Sequence, residues 1–237
     1  MGKRFTYYAV GSTFHPLNLA GSQLYFAKNT ATPSLWNDQS PNGYDLTQST
    51  ATQQPIISAN SVDFDGVNDV LFRNIANPFS GHTLGTFYFS FYFNGNRQEL
   101  FASADASSDI RLIAFQANTV FGNKLSVISI RGSSPNRVNS TDSLVIGYNY
   151  GYIASNGSNY ILSLNGVLQT NIVIVGNDDG TWFGNIASRD NISIGGVLRS
   201  SSFYSPTKLN KAYYNNTILS AGDITKLNTF FADPNNY

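Results

Sequence analysis

The chain has 237 residues, 41% of them hydrophobic and only 12% charged, against about 25% charged in an average soluble protein, and its 14 basic and 14 acidic side chains cancel. That hydrophobic share fills one sizeable core, while a neutral exterior rich in Asn, Ser, Thr, Gln and Gly gives no electrostatic reason to expect nucleic acid or an anionic membrane as partner. Without cysteine neither a disulfide framework nor a thiolate metal site can form, and no apolar run approaches the roughly 18 residues of a membrane span.

Residues 1–16 open with FTYYAV, a plausible strand, and read as an N-terminal extension or arm that docks on a neighbouring subunit or lies at a sheet edge. They lack the apolar h-region of a signal peptide, so assembly inside a cell is expected. Leu24–Ala27 is a short apolar strand. Trp36 stands beside a tight run of turn formers, Asn37 to Gly43, the pattern of a strand that enters a core and reverses. Val62 and Phe64 alternate with Asp63 and Asp65 before Gly66 breaks the pattern, and Val70–Leu71 resume it. In TFYFSFYF, Phe87, Phe89, Phe91 and Phe93 share the face that belongs in the core, with Tyr88, Ser90 and Tyr92 opposite. Strands follow at Gln98–Ala102, Ile110–Phe115 and Lys124–Arg131, then a GSSPNRVNSTD loop, then LVIGYNYGYI, YILSLNGV and its return LQTNIVIV. A strand at Asn191–Val197 comes next. At the end Ser220 and Asp223 read as a capping pair for a helix with Ile224, Leu227, Asn228 and Phe231 on one face. Strands at this spacing, separated by Gly, Asn, Asp and Ser, indicate an all-β antiparallel sandwich or jelly roll formed by one domain, residues 17–237.

Five stretches in this order resemble a known family. WNDQSPNGYDLTQ followed by SVDFDGVNDVL, YILSLNGV, and ISIGG with ILSAGDITKL are similar to laminin-G-like domains of the concanavalin A-like lectin/glucanase superfamily, in the divergent form found in bacterial surface proteins and bacteriophage virions. The resemblance implies a concanavalin A-like antiparallel β-sandwich with a short C-terminal helix. It also implies a non-enzymatic virion structural or adhesion protein, a fibre, spike or capsid decoration, that holds a host surface glycan or a neighbouring virion protein and acts as a homo-oligomer. The alternative is a bacterial carbohydrate-binding module or glycoside hydrolase.

Hydrolysis needs two carboxyl groups flanking the scissile bond. The superfamily's enzymes carry a glutamate, aspartate, glutamate cluster on one strand, whereas this chain has a single glutamate, Glu99 in RQELF, with no acid two or four positions away. No nucleophile elbow is present, and only His15 and His82 could serve as base. No enzymatic activity is therefore expected. Laminin-G-like domains often hold calcium near the sandwich rim, and Asp65, Asn68 and Asp69 in FDGVND, with Asp63, Asp178 and Asp179 as further acids, are the candidate ligands, against a reading in which the loop carboxylates bond loop amides as Asx turns. For a glycan, an exposed aromatic platform is expected from Tyr148, Tyr150 and Tyr152, which alternate onto one side of a strand, and from Trp182 beside Asp178. The same tyrosines could be core or a subunit interface.

Overall fold

The computed structural model describes residues 14–118 and 120–237. Two antiparallel sheets stack face to face. One runs in the order Val167–Leu168, Tyr160–Leu164, Gly147–Ser155, Gly85–Phe93, Lys208–Asn215, Val62–Asp63, Ile56–Ile57, with Ser22–Ala27 pairing along the rest of Lys208–Asn215. The other runs Ile172–Val175, Ser134–Ser143, Lys124–Arg131, Ser108–Asn118, Gln98–Asp105, Asn191–Ile194, Leu71–Asn74, then the short ladders at Leu46–Thr47, Leu35–Trp36 and Ala31–Thr32. The strand expected within residues 5–10 lies outside the described residues.

The period-2 alternation of the aromatic strand decides which side faces in. Phe87, Phe89, Phe91 and Phe93 are buried between the sheets with Phe101, Phe115, Trp36 and Trp182. Trp36 is held by donating from Nε1 to the Ala27 carbonyl at 2.8 Å. The polar loop beside it is nucleated by Asp38, which accepts from the backbone of Tyr25 and Ser40 through one oxygen and from Tyr44 N through the other. Gly195 of ISIGG sits at φ +84°, and a Cβ there would stand 2.2 Å from a Phe64 ring carbon, so only glycine fits against that core ring.

The segment expected as the GSSPNRVNSTD loop is a strand, Ser134–Ser143, which pairs with Lys124–Arg131 over seven registered positions. Its polar composition misleads because ladder pairing is made by the main chain, and only Val138 has to enter the core. LQTNIVIV likewise splits: Val167–Leu168 pairs in one sheet and Ile172–Val175 in the other.

The opposite face of the aromatic strand is covered by the helix Ala221–Ala232. Ser220 caps it, accepting from Asp223 N at 3.1 Å. Leu227, Phe230 and Phe231 then bury against Tyr25, Tyr88, Tyr152 and Tyr213. The described end of the expected arm joins this layer, Phe14 packing edge-on to Phe230 and His15 to Tyr25.

Lys211 lies wholly inside this layer and donates from Nζ to the carbonyls of Asp233 at 2.7 Å and Asn236 at 2.8 Å. Burial pushes its pKa from 10.5 down to about 7, with Asp233 pulling the other way. A lysine whose folded pKa lies below its unfolded value gives up a proton on folding between the two, so stability should rise as pH increases from about 7 to about 10. Above that it should fall, because burial keeps Tyr88 and Tyr214 protonated in the folded state while the unfolded chain ionises near 10. Urea midpoints at pH 6.5, 8 and 9.5 test this; Lys211→Met should flatten the rise, and a flat wild-type profile would refute it.

Candidate ligand-binding site

On the outer face of the ten-stranded sheet a cleft of about 120 Å3 is lined by Arg97, Leu112, Gln116, Ile128, Arg137, Val197, Arg199 and Phe203. A bulge creates it. Gln98–Asp105 carries one extra residue opposite the Phe115–Gln116 step, so Leu100 and Phe101 both turn into the core while Glu99 pairs with Gln116 and faces outward.

Arg97, the residue before the strand, and Glu99 on it stand two apart in extended chain and therefore on one side. Arg97 Nη2 approaches Glu99 Oε1 at 2.6 Å and Nε donates to it at 2.8 Å. Gln116 Nε2 donates to both Glu99 oxygens at 3.0 Å. Its own Oε1 accepts from Arg137 Nη1 at 2.9 Å and from Asn118 at 3.3 Å. The chain of contacts Arg97–Glu99–Gln116–Arg137 thus fixes two guanidiniums on either side of a neutral amide. Glu99 itself has no exposed surface, and Arg97 is 31% exposed.

The charges do not balance. Glu99 answers Arg97, and Asp109 lies 3.5 Å from Arg199, while among the described residues Arg137 has only the Gln116 carbonyl and the Phe121 ring, 5.2 Å from its guanidinium carbon. Burial and the nearby Arg97 both lower the Arg137 pKa, with Glu99 opposing, and the group stays cationic at neutral pH. The rest of the lining is apolar: Leu112 and Ile128 on the sheet, Val197 and Phe203 from the hairpin in which Gly196–Val197 pairs with Phe203–Tyr204. Phe203 lies under Arg97, ring centroid to guanidinium 4.1 Å. Such a site matches a small anion carried on a partly apolar body.

The residues expected from sequence to bind a ligand sit elsewhere. Trp182 is fully buried, 5.3 Å from Phe115 and donating to the Tyr214 hydroxyl at 3.2 Å, so it is core and not a platform. Tyr152 is buried against Tyr88, and Tyr148 donates to the Phe231 carbonyl at 2.6 Å. The half-buried Tyr150 packs on the same cluster. These tyrosines seat the C-terminal helix. Asp178 accepts from Tyr160 N at 2.7 Å and from Asn171 at 2.8 Å, a structural role.

The loop expected to offer calcium ligands has the hydrogen bonds of the alternative, Asx-turn reading. One oxygen of Asp65 accepts from the amides of Val67, Asn68 and Asp69, and Asp69 accepts from Asp65 N. Amide hydrogens point at the oxygens where a cation would need lone pairs, which is the Asx-turn arrangement. Those amide bonds hold Asp65 below the ordinary carboxylate range despite its partial burial. No group of three or more His, Cys, Asp or Glu suited to a metal occurs among the described residues.

No protein-family model matches the chain, and no curated protein matches it in sequence. In fold it is similar to the CBM40 of the Ruminococcus gnavus IT-sialidase, 15% identical with a TM-score of 0.51 over 61% of this chain and 82% of that one, a module also solved bound to α2,6-sialyllactose. It is similar to the Trypanosoma rangeli sialidase in complex with sialic acid, 15% identical with a TM-score of 0.60 over 90% of this chain and 33% of that one. The NanB sialidase from Streptococcus pneumoniae is 13% identical with a TM-score of 0.53, over 65% of this chain and 26% of that one. At these identities the likeness establishes a lectin-like β-sandwich.

Proposed function

We propose that this chain is a non-catalytic glycan-binding module whose Arg97–Arg137 cleft holds the carboxylate of an acidic sugar. The observation that carries the proposal is the Arg137 guanidinium, which has no ion-pair partner among the described residues and is oriented by Gln116 above an apolar floor. A charge-assisted hydrogen bond to a carboxylate in such a partly desolvated place is stronger than a neutral one, and a forked guanidinium suits a planar carboxylate. Sialidase modules of the same architecture, one of them solved with sialyllactose, support the acidic-sugar reading. The lining holds three arginines, a glutamine and four apolar side chains and no carboxylate, which supports binding without cleavage.

These neighbours favour the carbohydrate-binding module over the laminin-G-like virion adhesin that the sequence motifs imply. The two settings share one mechanism, a weak site multiplied by copy number. In a virion the copies come from symmetry; in a module they come from the protein it is joined to.

Calorimetric titration with 3′-sialyllactose and with lactose tests the proposal. Sialyllactose should bind and lactose should not. Arg137→Gln, which keeps hydrogen-bonding capacity but removes the charge, should weaken sialyllactose binding by about tenfold to a hundredfold, the range of one charge-assisted contact. Equal binding of lactose, or an unchanged affinity in Arg137→Gln, would overturn it.

A further inference from the structure

A second pair of arginines lies at the end of the sandwich. Arg111 and Arg131 are directly opposite partners on the antiparallel strands Ser108–Asn118 and Lys124–Arg131. Each is two residues beyond a side chain of the inner row: Ile113 is in the core, and the Ser129 hydroxyl bonds the buried Tyr160 hydroxyl at 3.1 Å. The two guanidiniums therefore stand where the core row runs out into solvent. Like charges directly opposed on a sheet destabilise the pair unless something lies between them.

The chain supplies little to neutralise them. Asp105 Oδ2 comes no closer than 3.8 Å to Arg111, a loose pair, while its Oδ1 accepts from the amide and the hydroxyl of Ser107 at 2.9 and 2.7 Å. The Arg131 side chain is exposed and makes no hydrogen bond or ion pair among the described residues. Between them and the loop that follows Phe183 opens a pocket of about 440 Å3, with Ile110 and Ile186 as apolar wall and Asn185 and Ser188 as polar rim. A bare inorganic anion would fill a small part of that volume; an anionic group on a ring of sugar size fills it and presents hydroxyls to Asn185 and Ser188.

We infer that this rim pocket is a second binding site, for a phosphate-, sulfate- or carboxylate-bearing monosaccharide unit, held through Arg111 and Arg131. It is separate from the Arg97–Arg137 cleft. The Gln116–Ser126 and Arg111–Arg131 rungs are five residues apart, roughly 17 Å along the strand, and the two pairs of side chains project from opposite faces of the sheet. One acidic polysaccharide chain would have to wrap the sheet end to reach both.

The test is a backbone amide NMR titration of the full chain with inorganic phosphate, glucose 6-phosphate, glucuronate and glucose at constant ionic strength. Glucose 6-phosphate and glucuronate should shift the amides of Gly132, Asn185 and Ser188, and glucose should not. Inorganic phosphate should act on the same amides at least tenfold more weakly. Arg131→Gln should weaken glucose 6-phosphate binding at least tenfold, while Arg137→Gln should leave it unchanged. Without ligand, Arg131→Gln should melt at the same temperature as wild type or higher, because an opposed charge has been removed; an arginine that is merely structural would lower it. No shift with either anionic sugar, equal shifts with glucose, or an unchanged titration in Arg131→Gln would each overturn the inference.

Discussion

Arg189→Ala should destabilise the protein by about 3–5 kcal/mol, the cost of removing one partner of a buried charged network. Arg189 is 1% exposed and has no carboxylate to answer it among the described residues. Four oxygens answer it instead: the Ile186 carbonyl at 2.9 Å, the Pro78 carbonyl at 2.8 Å, the Phe183 carbonyl at 2.6 Å and the Ser103 hydroxyl at 2.6 Å. The guanidinium also lies over the Phe183 ring, 5.4 Å from its centroid. One side chain thus ties two loops to the strand Gln98–Asp105. Burial lowers its pKa to about 10, which leaves it charged at neutral pH. Truncation would strand the Pro78 and Ile186 carbonyls, since the Ser103 hydroxyl keeps its bond to the Asn191 carbonyl and the Phe183 carbonyl its bond from Ile186 N, in a space that water has to enter or leave empty. Arg189→Lys should recover only a small part, since one ammonium cannot reach acceptors placed for a planar fork. Urea unfolding of both variants is the check; a loss under about 1 kcal/mol for Arg189→Ala would mean that the loops hold their positions without it.

Arg189 lies beyond the reach of local sequence patterns, because two of its partners, Pro78 and Ser103, are more than eighty residues away in the chain. The Phe87–Phe93 alternation, the Ser220 cap, the Asn165–Gly166 hairpin at φ +51° and +80°, and the turn formers after Trp36 are each determined by a few neighbouring residues, and each is found as the sequence implies. Alternation also separates the Phe face from the Tyr face. It does not say what lies on the second face, and a helix more than sixty residues downstream of Tyr152 settles that by covering it. Trp182 beside an acidic loop fits a platform and a core anchor equally well from sequence alone; its neighbours Phe115 and Tyr214 come from distant strands.

The cleft is the hardest case because every step toward it is non-local. Arg137 sits on a strand whose composition reads as loop, Gln116 meets Glu99 only across a bulge, and Phe203 arrives on a hairpin from the far end of the chain. One signal was available in RQELF. Arg97 and Glu99 stand two apart, and a chain with a single glutamate that places it in an apolar strand has buried a charge that needs a partner. Reading Glu99 only for the absence of neighbouring acids passes over that partner.

Glu99→Gln should therefore cost about 3 kcal/mol of stability and at least tenfold in sialyllactose affinity, although Glu99 is absent from the lining of the cleft. The carboxylate accepts from Arg97 and from the Gln116 amide; an amide in its place can accept through one atom only, and its own NH2 would meet Arg97 or Gln116 donor to donor. Gln116 then has reason to turn over, which withdraws the oxygen that orients Arg137. Arg97, no longer neutralised, adds positive charge to the cleft. If charge alone governed binding, Glu99→Gln would bind the acidic sugar more tightly than wild type; if placement governs, it binds more weakly. The geometry favours placement, since a guanidinium free to move loses the rotamer entropy again on binding. A reducing-sugar assay on the same variant separates the remaining alternative. A hydrolase that used Glu99 would show wild-type turnover abolished in Glu99→Gln, whereas a binding module shows no turnover in either protein.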